Sequence, residues 1–81
     1  MSALTEKRRL LENAGFVYNF DRELYYNRNV RKAFSVEFIE DHNNIDLEQF
    51  IKENSDARSW RFYFNSPLSN AVRRELISVL E

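Results

Sequence analysis

The chain contains no cysteine, one glycine, one proline and one histidine. Without cysteine there is no disulfide framework, thiolate catalysis, iron–sulfur cluster or cysteine-based zinc site. A small domain that folds without disulfides is typical of a reducing compartment, so we expect a cytoplasmic protein. Because glycine and proline are scarce, there is little material for linkers or disorder, and we expect one ordered domain over residues 1–81.

Long apolar runs are also missing. No stretch approaches the roughly 18 apolar residues that a membrane span requires, so we expect no membrane partner. One glycine cannot build a glycine-rich phosphate loop. The single histidine, His42, follows Glu40 and Asp41 and has no second histidine to help it hold a metal or activate a nucleophile. We therefore expect no enzymatic activity, no cofactor and no bound metal.

Aromatic residues are abundant by contrast, with seven phenylalanines, four tyrosines and one tryptophan. Each ring buries roughly 150–250 Å² and has few rotatable bonds, so these residues suffice for one compact core. Charge is uneven, since residues 37–56 contain seven acids and one base, and the remainder contains eleven bases and six acids. This asymmetry either steers a charged partner or reflects ordinary solvated faces.

The first half of the chain changes from a helical to an alternating apolar rhythm. Helical spacing predicts a helix over residues 3–13, with Gly15 in a left-handed position after its end. Alternation from Phe16 onward predicts three antiparallel strands joined by turns at residues 21–23 and 27–29. The third strand either continues to Phe38 or ends near Ser35, which would then cap a short helix over Val36–His42. Because the second strand is short, we favour the helix.

The second half predicts two further helices and a strand. Asp46 and Gln49 have the spacing of a capping box, and Ile45 and Phe50 that of a hydrophobic staple, so a helix should begin at Leu47. Alternation over residues 60–65 predicts a fourth strand. After it, Ser66 and Pro67 are typical of the first positions of a helix that should dock on the sheet.

The predicted fold is therefore α+β. A small antiparallel sheet, made of a three-stranded meander plus a fourth strand, packs against an N-terminal helix, one or two short central helices and a C-terminal helix. We expect one sheet face to be apolar and to meet the helices; its residues are Phe16, Tyr18, Phe20, Leu24, Phe34, Trp60, Phe62 and Phe64. The other face should be hydrophilic and exposed, and its candidate binding residues are Tyr25, Asn27, Arg61, Tyr63 and Asn65.

Tyrosine, asparagine and arginine suit recognition, because they combine rigid area with hydrogen-bonding groups. The leading hypothesis is a non-catalytic protein-interaction or regulatory module that binds a protein or peptide through this face or a strand edge. An alternative is a single-stranded nucleic-acid-binding domain whose bases stack on the face while Arg28, Arg31, Lys32 and Arg61 approach phosphates. The acidic central segment disfavours that alternative. A homodimer through a strand edge is a third hypothesis, and cross-strand pairing alone also explains exposed tyrosines.

Overall fold

A computed structural model describes residues 3–54 and 58–81 of the chain. In these residues the elements are α1 (Ala3–Asn13), β1 (Val17–Asn19), β2 (Leu24–Asn27), β3 (Lys32–Ser35), α2 (Val36–Asp41), α3 (Asn44–Lys52), β4 (Arg61–Tyr63) and α4 (Asn70–Leu80). The strands form one sheet in the order β1-β2-β3-β4. The first three strands form an antiparallel meander, and β4 pairs with β3 in parallel. The predicted α+β class, with a meander, a fourth strand and terminal and central helices, is confirmed.

Gly15 ends α1 as the sequence predicts. Its φ is 92°, its N–H donates to the carbonyl of Glu12, and the N–H of Phe16 donates to the carbonyl of Leu11, both at 3.0 Å. These two bonds form a Schellman motif, in which Phe16 also packs with Leu11 in the core. Glycine suits this backbone conformation, and a Cβ here would lie 3.1 Å from Nδ2 of Asn27, so that amide would have to shift by a few tenths of an ångström.

The junction between β3 and α2 lies at Ser35. Its hydroxyl accepts a hydrogen bond from the N–H of Phe38 at 3.1 Å, which satisfies one of the free donors at the start of the helix. The third strand therefore ends where the sequence favours its end. Helix α2 ends at Asp41, one residue before the predicted bound, and His42 is its C-cap.

The predicted starts of the last two helices are wrong. Helix α3 begins at Asn44, because the Oδ1 of Asn43 accepts from the N–H of Asp46 at 2.8 Å, and Ile45 is 75% exposed, so it forms no staple. Helix α4 is capped by Ser69 and not by Ser66. Both helices are preceded by several residues able to cap, and packing decides which of them does so.

Helices cover both faces of the sheet. One core, with buried residues Leu11, Phe16, Tyr25, Phe34, Ile39 and Leu47, brings together side chains of the sheet and of α1, α2 and α3. A second core, with buried residues Leu24, Ala33, Trp60, Leu76 and Leu80, lies between the other face and α4.

The prediction of one apolar and one hydrophilic face is therefore wrong. Phe16 and Phe34 belong to the first core, whereas Phe62 and Phe64 pack against the second, and Phe20 is 80% exposed. Period-two alternation shows which residues of one strand share a face, but it does not relate one strand to the next. The chain between β3 and β4 contains α2 and α3, which cover one face, and α4 then covers the other.

Candidate functional site

The five predicted binding residues do not form an exposed surface. The register aligns Tyr25 with Phe34 and Tyr63, and the neighbouring row aligns Asn27 with Lys32 and Arg61. This face lies under helices, and Tyr25 is 3% and Asn27 8% exposed. The predicted exposure of these two residues is wrong, because the chain between β3 and β4 crosses their side of the sheet.

Arg61 and Asn65 are exposed, and Nδ2 of Asn65 donates to Oδ2 of Asp41 at 2.7 Å. Asn65 therefore connects the segment that follows β4 to the end of α2. The participation of Arg61, Asn65 and the other three residues in binding stays a prediction.

Tyr63 and Asn27 have structural contacts on this face. The ring of Tyr63 stacks on Phe34, with centroids 4.4 Å apart, and its hydroxyl donates to Oε1 of Glu53 at 2.8 Å. Burial, together with this bond to a carboxylate, raises the pKa of Tyr63. Asn27 donates to the carbonyl of Ala14 at 3.3 Å and so connects β2 to the end of α1.

Lys32 is fully buried, and its ammonium closes the end of α3. Nζ donates to the carbonyl oxygens of Phe50 at 2.9 Å, Ile51 at 2.6 Å and Glu53. Carbonyls at a helix C-terminus have no partner within the helix, and a cation there also interacts favourably with the helix dipole. Burial lowers the pKa of Lys32, and the nearby Glu53 carboxylate opposes that change. Because its ammonium is buried, Lys32 is not accessible to the phosphate of a bound nucleic acid.

The sequence-based expectation for Lys32 is contact with phosphates and not this role, although a signal for the role exists. Lys32 alternates with Phe34 along β3, so the period of two places both side chains on the same face. A lysine beside a core phenylalanine indicates a buried cation that needs several acceptors.

The open edge of β1 carries the most exposed large apolar side chains of the sheet region. β1 lies at one end of the strand order, and no other strand of the described residues pairs with its outer side. Val17 on this strand is 56% exposed, and Phe20, immediately after it, is 80% exposed. The alternation predicts Phe20 in the core, and this is wrong, because β1 ends at Asn19 and Phe20 begins the turn.

The turn that carries Phe20 is held at several points. Oδ1 of Asn19 accepts from the N–H of Arg22 at 2.9 Å, and the Arg22 guanidinium pairs with Glu75 of α4 at 2.6 Å. The ring of Phe20 meets that of Tyr18 edge-on, with centroids 6.4 Å apart. Phe20 is thus an exposed apolar group in an ordered position beside an unpaired strand edge.

His42 belongs to an aromatic cluster. Its ring stacks on Phe38 at 4.0 Å between centroids, meets Phe50 edge-on, and its Nδ1 lies 2.8 Å from the carbonyl oxygen of Phe38. Across residues 3–54 and 58–81, no group of three or more histidine or acidic side chains is arranged to hold a metal ion. None of the helices in this part of the chain has the length and apolarity needed to cross a membrane.

Comparison of the chain with models of protein families, with curated proteins and with solved structures finds no match.

Proposed function

We propose that this chain is a non-catalytic protein-interaction module that takes an extended segment of another protein onto the open edge of β1. The observation that supports this proposal is Phe20, a large apolar side chain that is 80% exposed at the end of an edge strand. On the same proposal the module works in the cytoplasm, where a domain without cysteine needs no disulfides.

The energetic basis is strand addition with one anchor. The unpaired N–H and C=O groups of β1 supply main-chain hydrogen bonds to an incoming strand, and side chains at alternate positions supply selectivity. Burying the Phe20 ring against the partner adds about 2 kcal/mol. Because the turn from Asn19 to Arg22 is already ordered by its own hydrogen bonds, binding requires little further ordering of this anchor.

If β1 paired with β1 of a second copy of this chain, the partner would cover less of the exposed Phe20 ring. In the antiparallel register centred on Tyr18, Phe20 of one copy lies opposite Phe16 of the other. Phe16 is 3% exposed and occupied in its own core, so it offers little surface to the incoming ring. A partner strand with an apolar residue at that position covers Phe20 more completely.

The nucleic-acid alternative has weaker support. It requires an exposed aromatic platform, whereas Tyr25 is buried under the helices. Arg28 donates to the main-chain oxygen of Glu81, and Arg31 lies 3.7 Å from its carboxylate, so both cations have an acidic neighbour.

A photo-crosslinking pair tests the proposal. A photoreactive phenylalanine analogue replaces Phe20 in one variant and Ile45 in the other, where Ile45 is a matched control that is equally apolar and 75% exposed on α3. We expect a crosslinked partner from position 20 and none from position 45. A synthetic extended segment of that partner should bind the purified chain and slow hydrogen exchange at the amides of β1.

Three results would contradict the proposal. Equal crosslinking at both positions would show a non-specific apolar contact. A crosslinked product containing two copies of this chain would establish a homodimer in place of a heterotypic partner. A bound segment that leaves exchange at the β1 amides unchanged would exclude strand addition.

A further inference from the structure

A cleft of about 520 Å³ opens where β3 and β4 reach their C-terminal ends. This volume is within the range of about 300–1,000 Å³ that is typical of small-molecule sites. The half-buried residues that line its floor are Arg8, Tyr18, Ser35, Val36, Phe64 and Leu68.

Arg8 is the charged residue of this floor. Its Nε is buried and has no hydrogen-bond partner among the described residues, and its guanidinium carbon lies 5.6 Å from the centroid of the Tyr18 ring. A ligand cannot reach this buried nitrogen, so it would meet the remaining guanidinium nitrogens of Arg8, a half-buried residue of the cleft lining. The planar fork of a guanidinium matches a carboxylate, which accepts two parallel hydrogen bonds.

The rim of the cleft has the opposite charge. Glu23, Glu37 and Glu40 are exposed residues of the lining, and Arg22, the basic residue at the rim, is already paired with Glu75. The Nζ of Lys7 donates to the main-chain oxygen of Glu40 at 3.0 Å, so a positive charge already lies beside this residue. Glu23 and Glu37 therefore contribute most of the unbalanced negative charge.

We propose that the cleft binds a zwitterionic molecule of about dipeptide size. Its carboxylate accepts hydrogen bonds from Arg8, and its ammonium group lies toward Glu23 and Glu37. An apolar side chain of the ligand packs against Val36 and Phe64, while a purely anionic ligand would meet the repulsion of the rim. This site shares Tyr18 with β1 but uses neither Phe20 nor the unpaired main-chain groups of that strand, so it does not depend on the proposed protein interaction.

Three ligands distinguish the two charge contacts on the unchanged protein. The ¹⁵N-labelled full chain is titrated with leucyl-leucine, its C-terminal amide and its N-acetyl derivative to about 10 mM, enough to detect a dissociation constant of about 1 mM. With leucyl-leucine we expect amide shifts at Tyr18, Ser35 and Val36. Amidation removes the charge-assisted bonds to Arg8 and should weaken binding by about 10- to 100-fold. Acetylation should weaken it by only about 2- to 5-fold, because the rim is exposed and screened.

Variants of the protein provide the second arm. Arg8→Gln should weaken leucyl-leucine binding as much as amidation of the ligand does, and Arg8→Lys should restore part of it. Arg9→Gln, on the neighbouring exposed residue of α1, should leave binding unchanged. Phe20→Ser removes a ring contact of Tyr18 but should leave the shifts at Ser35 and Val36 intact, so failure of the edge-strand proposal and failure of this one give different results.

The proposal is overturned if leucyl-leucine causes no shifts at the cleft. It is also overturned if the amide binds as tightly as the free carboxylate, or if Arg8→Gln and Arg9→Gln have equal effects. Should Arg8→Gln not fold, the three-ligand series on the unchanged chain decides the question alone.

Discussion

Replacing Lys32 by methionine should destabilise the protein far more than the same change at another lysine. Methionine keeps most of the buried apolar stem but leaves the carbonyls of Phe50, Ile51 and Glu53 without their shared donor. Hydrogen bonds to a charged group contribute about 1.5–3 kcal/mol each when partners are well placed. The desolvation of the ammonium, which also lowers the pKa of Lys32, offsets much of that sum. We expect a net loss of about 2–4 kcal/mol in the free energy of unfolding.

Lys7→Met is the matched control. The Nζ of Lys7 also donates to a main-chain carbonyl, that of Glu40 at 3.0 Å, but at an exposed site. Its removal should change the free energy of unfolding by no more than about 0.5 kcal/mol. A chain of this size has a total stability of about 4–12 kcal/mol, so both variants can be compared in urea.

The assay is urea unfolding followed by circular dichroism, with amide hydrogen exchange as a local readout. In Lys32→Met, the amide of Glu53, which donates to Gln49 at 2.9 Å at the end of α3, should exchange faster than in the unchanged chain. If Lys32→Met and Lys7→Met were equally stable, the three carbonyl contacts of Lys32 would contribute nothing beyond an exposed hydrogen bond.

Three further predictions concern single residues. The pKa of Tyr63 is raised above its ordinary value of 10.0, so above pH 10.0 the folded chain keeps a proton that the unfolded chain loses. The contribution of the protonated Tyr63 hydroxyl to stability is therefore complete below pH 10.0 and is lost as the pH rises above it. Urea unfolding across this range should therefore show a steeper alkaline loss of stability in the unchanged protein than in Tyr63→Phe, and equal slopes would contradict the argument. Gly15→Ala places a Cβ at φ 92° and should cost about 1–2 kcal/mol in thermal or urea unfolding, whereas Ala14→Gly, one residue earlier, should not reproduce that loss. Ser35→Ala removes the cap of α2 and should cost about 1 kcal/mol, with Ser66→Ala, which caps no helix, as the neutral comparison; similar losses in both would refute the assigned cap.

Features that depend on a few neighbouring residues could be predicted from the sequence. Gly15 and Ser35 act through hydrogen bonds within about four positions of the chain, so their residue types are sufficient evidence. The same reasoning failed at Asp46 and Ser66, since several adjacent residues were able to cap and tertiary packing selected Asn43 and Ser69. Local signals therefore predict that a helix is present more accurately than they predict the residue at which it begins.

The faces of the sheet could not be predicted in this way. Tyr25 and Phe34 share a face only because of their cross-strand register, which alternation within one strand does not determine. The helices that cover this face also depend on the route of the chain between β3 and β4. For this reason the proposed binding surface is the β1 edge, where Phe20 lies beyond the last paired residue, and not the predicted sheet face that contains Tyr25 and Tyr63.

The parallel pairing of β4 has a consequence for how the chain folds. The three-stranded meander requires contacts only between segments that are neighbours in sequence. Arg61, by contrast, pairs with Lys32 although α2 and α3 lie between them in the chain. Closing a longer loop costs more conformational entropy and slows folding. The bonds from Lys32 to the end of α3 shorten this loop, because they bring Glu53 to the same strand that Arg61 must reach. If these bonds form before β4 pairs, Lys32 divides one long chain closure into two shorter ones, and we expect the sheet to be completed from its meander outward.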